Sequence, residues 1–130
     1  MFKKIISPRI SEINGARHIG HHVIPVWLEE GYIEIIKLFN PKLLGGKNLF
    51  LVNINIDYLH EITLGIDVEV ITGVKKIGTT SLVLDQQIFQ AGKLCAKGAS
   101  TFVNFNHNSQ KPATIPPSVL EKLQEHIMED

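Results

Sequence analysis

The chain has one cysteine, Cys95, so it cannot form an internal disulfide. Cys95 lies between Leu94 and Ala96 in a strand-like run and reads as a buried, inert thiol. Long apolar runs are also missing. No stretch approaches the roughly 20 apolar residues that a membrane helix needs, so no membrane partner is expected. The opening MFKKIISPRISEING carries two lysines but no apolar segment of signal-peptide length, and a cytoplasmic location is the default expectation. Charge of one sign is lacking too: 13 Lys and Arg balance 13 Asp and Glu. A net charge of zero gives no long-range attraction to nucleic acid, which is not expected as a partner. There is no glycine-rich phosphate loop followed by Lys-Ser/Thr, so nucleotide hydrolysis is not supported. Repeats, low-complexity tracts and linkers are absent. What remains is an ordinary globular composition, 44% hydrophobic and 20% charged, over a length that suits one domain spanning 1–130.

The order of elements is legible from periodicity. Phe2 to Ile10 is short, contains Pro8 and reads as an edge strand. Ser11 to His22 is polar and glycine-containing and reads as an ordered loop. From Pro25 to Phe39, Trp27, Leu28, Gly31, Ile35, Leu38 and Phe39 recur at helical spacing between Glu29, Glu30, Glu34 and Lys37. Ile24, Val26, Ile33 and Ile36 add to the apolar surface, so this helix should be largely wrapped by other structure. Pro25 suits the first turn, where its missing N–H costs nothing; Pro41 and Gly45-Gly46 should end the helix.

The period then changes to two. In Asn48 to Tyr58 the alternation sets Phe50, Val52, Ile54, Ile56 and Tyr58 on one face and Asn53, Asn55 and Asp57 on the other. Val68 to Thr72, Ser81 to Phe89 and Leu94 to Phe105 follow as strands. Turn signals at Gly65, Lys76-Ile77-Gly78 and Ala91-Gly92-Lys93 separate them. Ile115-Pro116-Pro117-Ser118 introduces a short amphipathic helix over Val119 to Met128. Short turns make neighbouring strands antiparallel, and the Pro25–Phe39 helix is the only large apolar helix available to cover the sheet. The expected class is α+β: a curved five-stranded antiparallel sheet wrapped around one long central helix, with a short C-terminal helix.

This order, with its motifs, resembles the hot-dog-fold thioesterases of the 4-hydroxybenzoyl-CoA thioesterase-like superfamily. The likeness covers nearly the whole chain and is sharpest over Arg9 to His22. There Glu12, Asn14, His18 and Gly20 fall on the pattern D-I-N-Y-G-x-H-L-G-N-D, and His21 and His22 replace its Asn-Asp pair. Trp27 and Glu30 match a W-x-x-E spacing on the following helix. Ile56 to Leu59, Leu64 to Val70, Ile77 to Leu82 and Lys111 to Pro117 resemble later family passages. Several members carry a catalytic aspartate where this chain has Asn14, and asparagine cannot serve as a carboxylate nucleophile or base.

The resemblance implies acyl-CoA hydrolysis to carboxylate and free CoA, with the thioester carbonyl at the N-terminus of the central helix. Unpaired backbone N–H groups and the helix dipole favour an oxyanion there. The His21 N–H is the candidate donor, Gly20 allows close approach, and His22 adjoins them. Glu30 and Glu12 are the candidate bases; Asn14 and His18 would orient carbonyl or water. Family likeness places Thr80 and Ser81 beside the pantetheine arm, and Lys75, Lys76, Lys93 and Lys97 are candidates for CoA phosphates. His18, His21 and His22 are residue types that zinc takes, but no second cluster completes a set, and His60, His107 and His126 lack motif context. No metal and no resident cofactor are expected, coenzyme A entering as part of the substrate.

Two other functions fit the same fold. Gly20 to Leu28 resembles the G-H-P-V-M-P-G-V-L segment of hydroxyacyl-thioester dehydratases. Those enzymes carry a carboxylate six residues after the proline; here that position is Gly31, and Glu30 is one step, ~100°, off. Asn14 keeps open a non-catalytic acyl-thioester binder. A sheet curled around one helix leaves edges exposed, so at least a dimer is expected; the family resemblance implies a homodimer or homotetramer with sites at subunit junctions.

Overall fold

The computed structural model describes residues 1–40, 49–106 and 108–128. The elements run β1 (Phe2–Ile6), α1 (Ile24–Phe39), β2 (Leu49–Tyr58), β3 (Val68–Ile77), β4 (Ser81–Gln90), β5 (Lys93–Asn106), β6 (Lys111–Pro112) and α2 (Pro117–Gln124). A 3-10 turn at Ile10–Glu12 follows β1, and another at His21–Val23 leads directly into α1. The sheet order is β1-β3-β4-β5-β2, every pair antiparallel, with the two-residue β6 added beside the end of β5. The sheet curls around α1 and the short α2 closes one end, which is the hot-dog fold.

Alternation builds the sheet. On β4, Leu82, Leu84, Gln86, Ile88 and Gln90 point inward and are buried, while the residues between them are half-buried. The β4–β5 hairpin closes on Ala91 and Gly92, both at positive φ (51° and 76°), as a tight two-residue turn of right-handed twist requires. α1 turns Ile24, Trp27, Leu28, Gly31, Tyr32 and Ile35 onto the sheet. Its opposite side stays open in the single chain, with Val26, Glu29 and Glu34 exposed. The wrapping expected from its apolar content is therefore one-sided.

The core divides in two along the helix. Around its first half lie Val23, Ile24, Trp27, Leu28, Val68, Val70, Ile88 and Ala96. Around its second half lie Tyr32, Ile35, Val74, Leu82, Leu84, Phe102 and Leu123. Between them is a polar cross-tie. Gln86 Nε2 donates to Leu28 O (2.8 Å) and Thr72 Oγ1 (2.9 Å), and the Thr72 hydroxyl donates to Gly31 O (3.0 Å). Gly31 permits this approach: a Cβ there would stand 2.5 Å from Val70 Cγ1 and 2.9 Å from Gln86 Nε2.

Three details depart from the alternation reading. β2 has a bulge between Leu51 and Asn53, which sets Leu51 opposite buried Phe102 and puts Phe50 opposite Val103. Phe50 consequently leaves the face of Ile54, Ile56 and Tyr58, because one inserted residue reverses a strand's facing. β3 runs on to Ile77, past the turn expected at Lys76, by a bulge between Val74 and Lys76. α2 ends at Gln124 instead of Met128, because Ile127 bridges Val74 in parallel and the Met128 N–H returns to Val74 O (2.8 Å). The expected terminators Pro41 and Gly45-Gly46, and Asn48, lie outside the described residues; the helix ends at Phe39 with Asn40 as its cap.

The two sheet edges differ. β3 is covered by β1 along Val68–Thr72 and by His126–Met128 around Val74. β2 pairs with β5 on one side, and among the described residues nothing pairs with its other side, where Phe50, Leu51, Val52 and Tyr58 are exposed.

Candidate active site

The loop before α1 is organised by two side chains. Glu12 is buried (8% exposed); Oε1 accepts the Arg9 backbone N–H (2.8 Å) and Oε2 accepts Trp27 Nε1–H (3.0 Å). The Glu12 carbonyl takes the Gly20 N–H (2.9 Å). Glu12 thus ties the start and end of the loop to the buried helix tryptophan. Asn14 builds the bend between: its Oδ1 accepts the N–H groups of Ala16 (2.9 Å) and His18 (3.2 Å), and its backbone N–H donates to His18 O (2.8 Å). Arg17 takes φ 65° to close the bend. With Oδ1 accepting, the Asn14 amide presents Nδ2 as a donor.

This loop forms one wall of a pocket of about 270 Å³ lined by Asn14, His18, Ile19, His21, Ile24, Tyr58, Leu59, His60, Glu61, Ile62, Cys95 and Ala96. Ile19, Ile24, Leu59, Ile62 and Ala96 supply its apolar surface, and Asn14, His18, His21, Tyr58, His60 and Glu61 its polar groups. The Tyr58 hydroxyl donates to His21 O (2.9 Å), fastening the end of β2 to the start of the helix. His18 Nδ1 meets Glu61 Oε2 at 2.6 Å. Helix entry supplies further donors. The Val23 N–H returns to Gly20 O and the Ile24 N–H to His21 O. The amides of His21 and His22 are left without a partner among the described residues, as a helix start leaves them. The structure therefore brings Asn14, His18 and His21 together in the pocket wall, while Gly20 and His22 adjoin it with the His22 ring packed against Gly20.

Other expected site residues lie elsewhere. Glu30 belongs to the groove between α1 and β1, with Phe2, Lys3, Lys4, Glu34 and Lys37. A residue three beyond Trp27 is displaced ~60° around the helix from it, enough to move Glu30 off the buried face, and no wall of the Asn14–His18 pocket includes it. Within one chain Glu30 therefore stands apart from His18. Glu12 has both carboxylate oxygens engaged by N–H donors, as a residue that orients its neighbours does. Thr80 ends the β3–β4 turn and Ser81 begins β4; Thr80 O accepts the Asn104 N–H (2.7 Å) and Ser81 O accepts the Gly78 N–H (2.8 Å). Ser81 is opposite Val103, seven residues along β5 from Ala96, or ~23 Å. Within one chain they are remote from the pocket. Lys75 and Lys97 line an open groove on the outer sheet face together with Asp57 and Asp85.

Sequence reasoning missed Tyr58 as a helix fastener and missed Glu61 altogether, and it set His60 aside for lack of motif context. A carboxylate 43 residues beyond His18 has no spacing signal; the contact exists because segment 59–63 is folded back against the loop. Among the described residues no three of His, Cys, Asp and Glu converge closely enough to hold a metal ion. No described helix is long and apolar enough to cross a membrane.

Comparison places this arrangement in a family. The model of the thioesterase-like superfamily matches residues 8–123. A structure described as a predicted thioesterase from Bacillus stearothermophilus is 41% identical over 99% of this chain and 98% of that one, with a TM-score of 0.96. Two more distant structures share the fold. One is a thioesterase from Thermus thermophilus complexed with coenzyme A and Zn, 22% identical over 95% of this chain and 92% of its own, TM-score 0.87. The other is a 1,4-dihydroxy-2-naphthoyl-CoA thioesterase from Synechocystis, 17% identical over 95% and 96%, TM-score 0.83. A comparison with curated proteins finds no match. The chain is a hot-dog-fold protein, and it belongs to the thioesterase-like superfamily.

Proposed function

We propose that the protein hydrolyses an acyl-CoA thioester to a carboxylate and free CoA. The observation that carries this reading is that an imidazole, a side-chain amide and the residue that opens the helix, His18, Asn14 and His21, line one pocket, with the His22 amide next along the helix entry. In the reaction the carbonyl oxygen accepts from the His21 and His22 N–H groups, where the positive end of α1 stabilises the developing oxyanion. Water attacks the carbonyl carbon, His18 Nε2 takes its proton, and Asn14 Nδ2 orients the carbonyl or the water. The C–S bond breaks, and the proton held on His18 passes to the CoA sulfur. Coenzyme A as leaving group is supported by a relative of the same fold that holds it. The reading includes a cytoplasmic setting, where a lone thiol such as Cys95 stays reduced.

A homodimer is part of the proposal. The unpaired side of β2 bears Phe50, Leu51 and Val52, an edge that natural sheets cover or pair. Antiparallel pairing of β2 with its copy would reverse the partner sheet end for end. The partner's β3–β4 turn, with Thr80 and Ser81, would then approach the Tyr58 end of this chain and its pocket. That supports Thr80 and Ser81 as substrate contacts supplied across the junction.

The test is thiol release from short, long and aromatic acyl-CoA substrates. His18→Asn is expected to lower kcat by about 10²-fold or more, the scale of a lost general base, whereas Glu30→Gln should stay within about twofold of wild type. A new double bond formed from a hydroxyacyl thioester, with no thiol release, would favour dehydration; tight binding with neither reaction would favour a binder.

A further inference from the structure

The pocket wall holds one acidic residue among the described residues, Glu61, and its carboxylate is aimed at His18. The backbone on both sides of this contact is fixed. His18 is held by Asn14 at its N–H and its carbonyl, and it bridges Thr63. The segment carrying Glu61 is tied before and after it. The N–H groups of Leu59 and His60 donate to Cys95 O (2.8 and 3.1 Å), and the Ile19 N–H donates to Ile62 O (2.8 Å). Beyond these, buried Gln90 grips the same segment: its Oε1 accepts the Thr63 N–H (3.0 Å), and its Nε2 donates to Thr63 O and Ile66 O (2.8 Å each). A polar side chain buried at the end of β4 therefore sets where Glu61 stands.

An ion pair of this exposure contributes little to stability: the Glu61 side chain is 69% exposed and His18 34%. Its chemical consequence is larger. A carboxylate accepting from Nδ1 requires the proton on that nitrogen, which leaves Nε2 as the free acceptor of a neutral imidazole. The other polar groups around His18 in the pocket are Asn14, His21, Tyr58 and His60, and none of them is a carboxylate.

We propose that Glu61 is a positioning residue that fixes His18 in the Nδ1–H tautomer and orients its Nε2 as the base for thioester hydrolysis. The inference rests on the thioesterase reading and replaces the helix and loop glutamates as the source of the carboxylate. When Nε2 takes the proton of the attacking water, the imidazolium is held between that proton and Glu61. The C–O bond forms, the C–S bond breaks, and Nε2 returns the proton to the sulfur.

The experiment combines imidazole 15N NMR on histidine-labelled protein, His18 being assigned from His18→Asn, with steady-state kinetics. Wild type is expected to show His18 with Nδ1 protonated and Nε2 bare. Glu61→Ala, at an exposed position that leaves the fold intact, should shift His18 toward the Nε2–H tautomer. It should also lower kcat by at least ~10-fold, part of the roughly 10²–10⁴-fold a positioned base supplies, with KM little changed. Glu61→Gln, which keeps an acceptor for Nδ1–H, should hold the tautomer and recover part of kcat. An unchanged tautomer in Glu61→Ala overturns the proposal, and so does a lost tautomer with undiminished kcat. If wild type has the Nδ1–H tautomer but releases no thiol from any acyl-CoA, the thioesterase reading falls, and Glu61's part in catalysis falls with it.

Discussion

The indole Nε1–H of Trp27 donates to Glu12 Oε2 at 3.0 Å, joining a buried helix residue to the loop that carries the pocket's polar groups. Trp27 is 1% exposed, so this bond is shielded from water. Glu12→Gln replaces one of two occupied acceptor oxygens by an N–H₂ facing a donor. It should cost about 1–3 kcal/mol, the scale of an unsatisfied buried polar group, read as a lower urea midpoint with unchanged slope. Trp27→Phe should cost a comparable amount by leaving Oε2 unpaired. If Glu12→Gln leaves stability intact while abolishing thiol release, Glu12 is a base and not a tie.

Asn14 has two separable parts. Its Oδ1 shapes the bend, and its Nδ2 is the donor assigned to substrate in the proposed reaction. Asn14→Asp keeps the acceptor and should melt within a few degrees of wild type, whereas Asn14→Ala should lose about 1 kcal/mol, the worth of a capping side chain. Both lack the donor, so both should lower kcat by roughly 10-fold or more. A large kcat difference between the two would show that the charge at this position, and not the donor, matters.

Gly31 is needed for the cross-tie between helix and sheet. Gly31→Ala places a methyl group 2.5 Å from Val70 Cγ1 and 3.1 Å from Thr72 Oγ1. Overpacking of this kind costs about 1–3 kcal/mol, against the fraction of a kcal/mol by which alanine favours a helix interior. Net destabilisation in denaturant unfolding is expected; a stabilised variant would mean that the helix can withdraw from the sheet freely.

Tyr32 stands in the second core cluster with its ring edge-on to Phe102, centroids 5.1 Å apart. Burial first, and Glu29 second, push its hydroxyl up to about 12. A folded pKa above the unfolded value of 10.0 means the contribution to stability is complete below pH 10 and is lost as pH rises from there toward 12. Ultraviolet titration should show one phenol ionising near 12 in folded protein and near 10 in urea. Tyr32→Phe should be more resistant to alkaline unfolding than wild type.

His126 behaves in the opposite sense. Burial and the adjacent N-terminal ammonium lower it from 6.5. Its contribution is present above that value and fades as pH falls below it. His126→Gln is expected to flatten the acid side of the stability profile, measured as Tm between about pH 7 and 5.

The sequence by itself determined the class of fold and most of its parts. Period two in Ser81–Phe89, period 3.6 in Pro25–Phe39 and the Gly92 turn are local signals, because facing and turning are decided within a few residues. Asn14, His18 and Gly20 were singled out by the family resemblance, and they lie near one another because one short loop carries all three. The bulges at Val52 and Lys75 were not legible, since a bulge is defined by the partner strand's register. Glu12 read as a base from its place in the loop, and only the packing of Trp27 beneath it revealed a tie. Whether Glu30 and His18 face one pocket, and whether Glu61 meets His18 at all, depends on how distant segments are brought together. Tertiary structure alone decides that, because side chains more than a few residues apart share no local geometry.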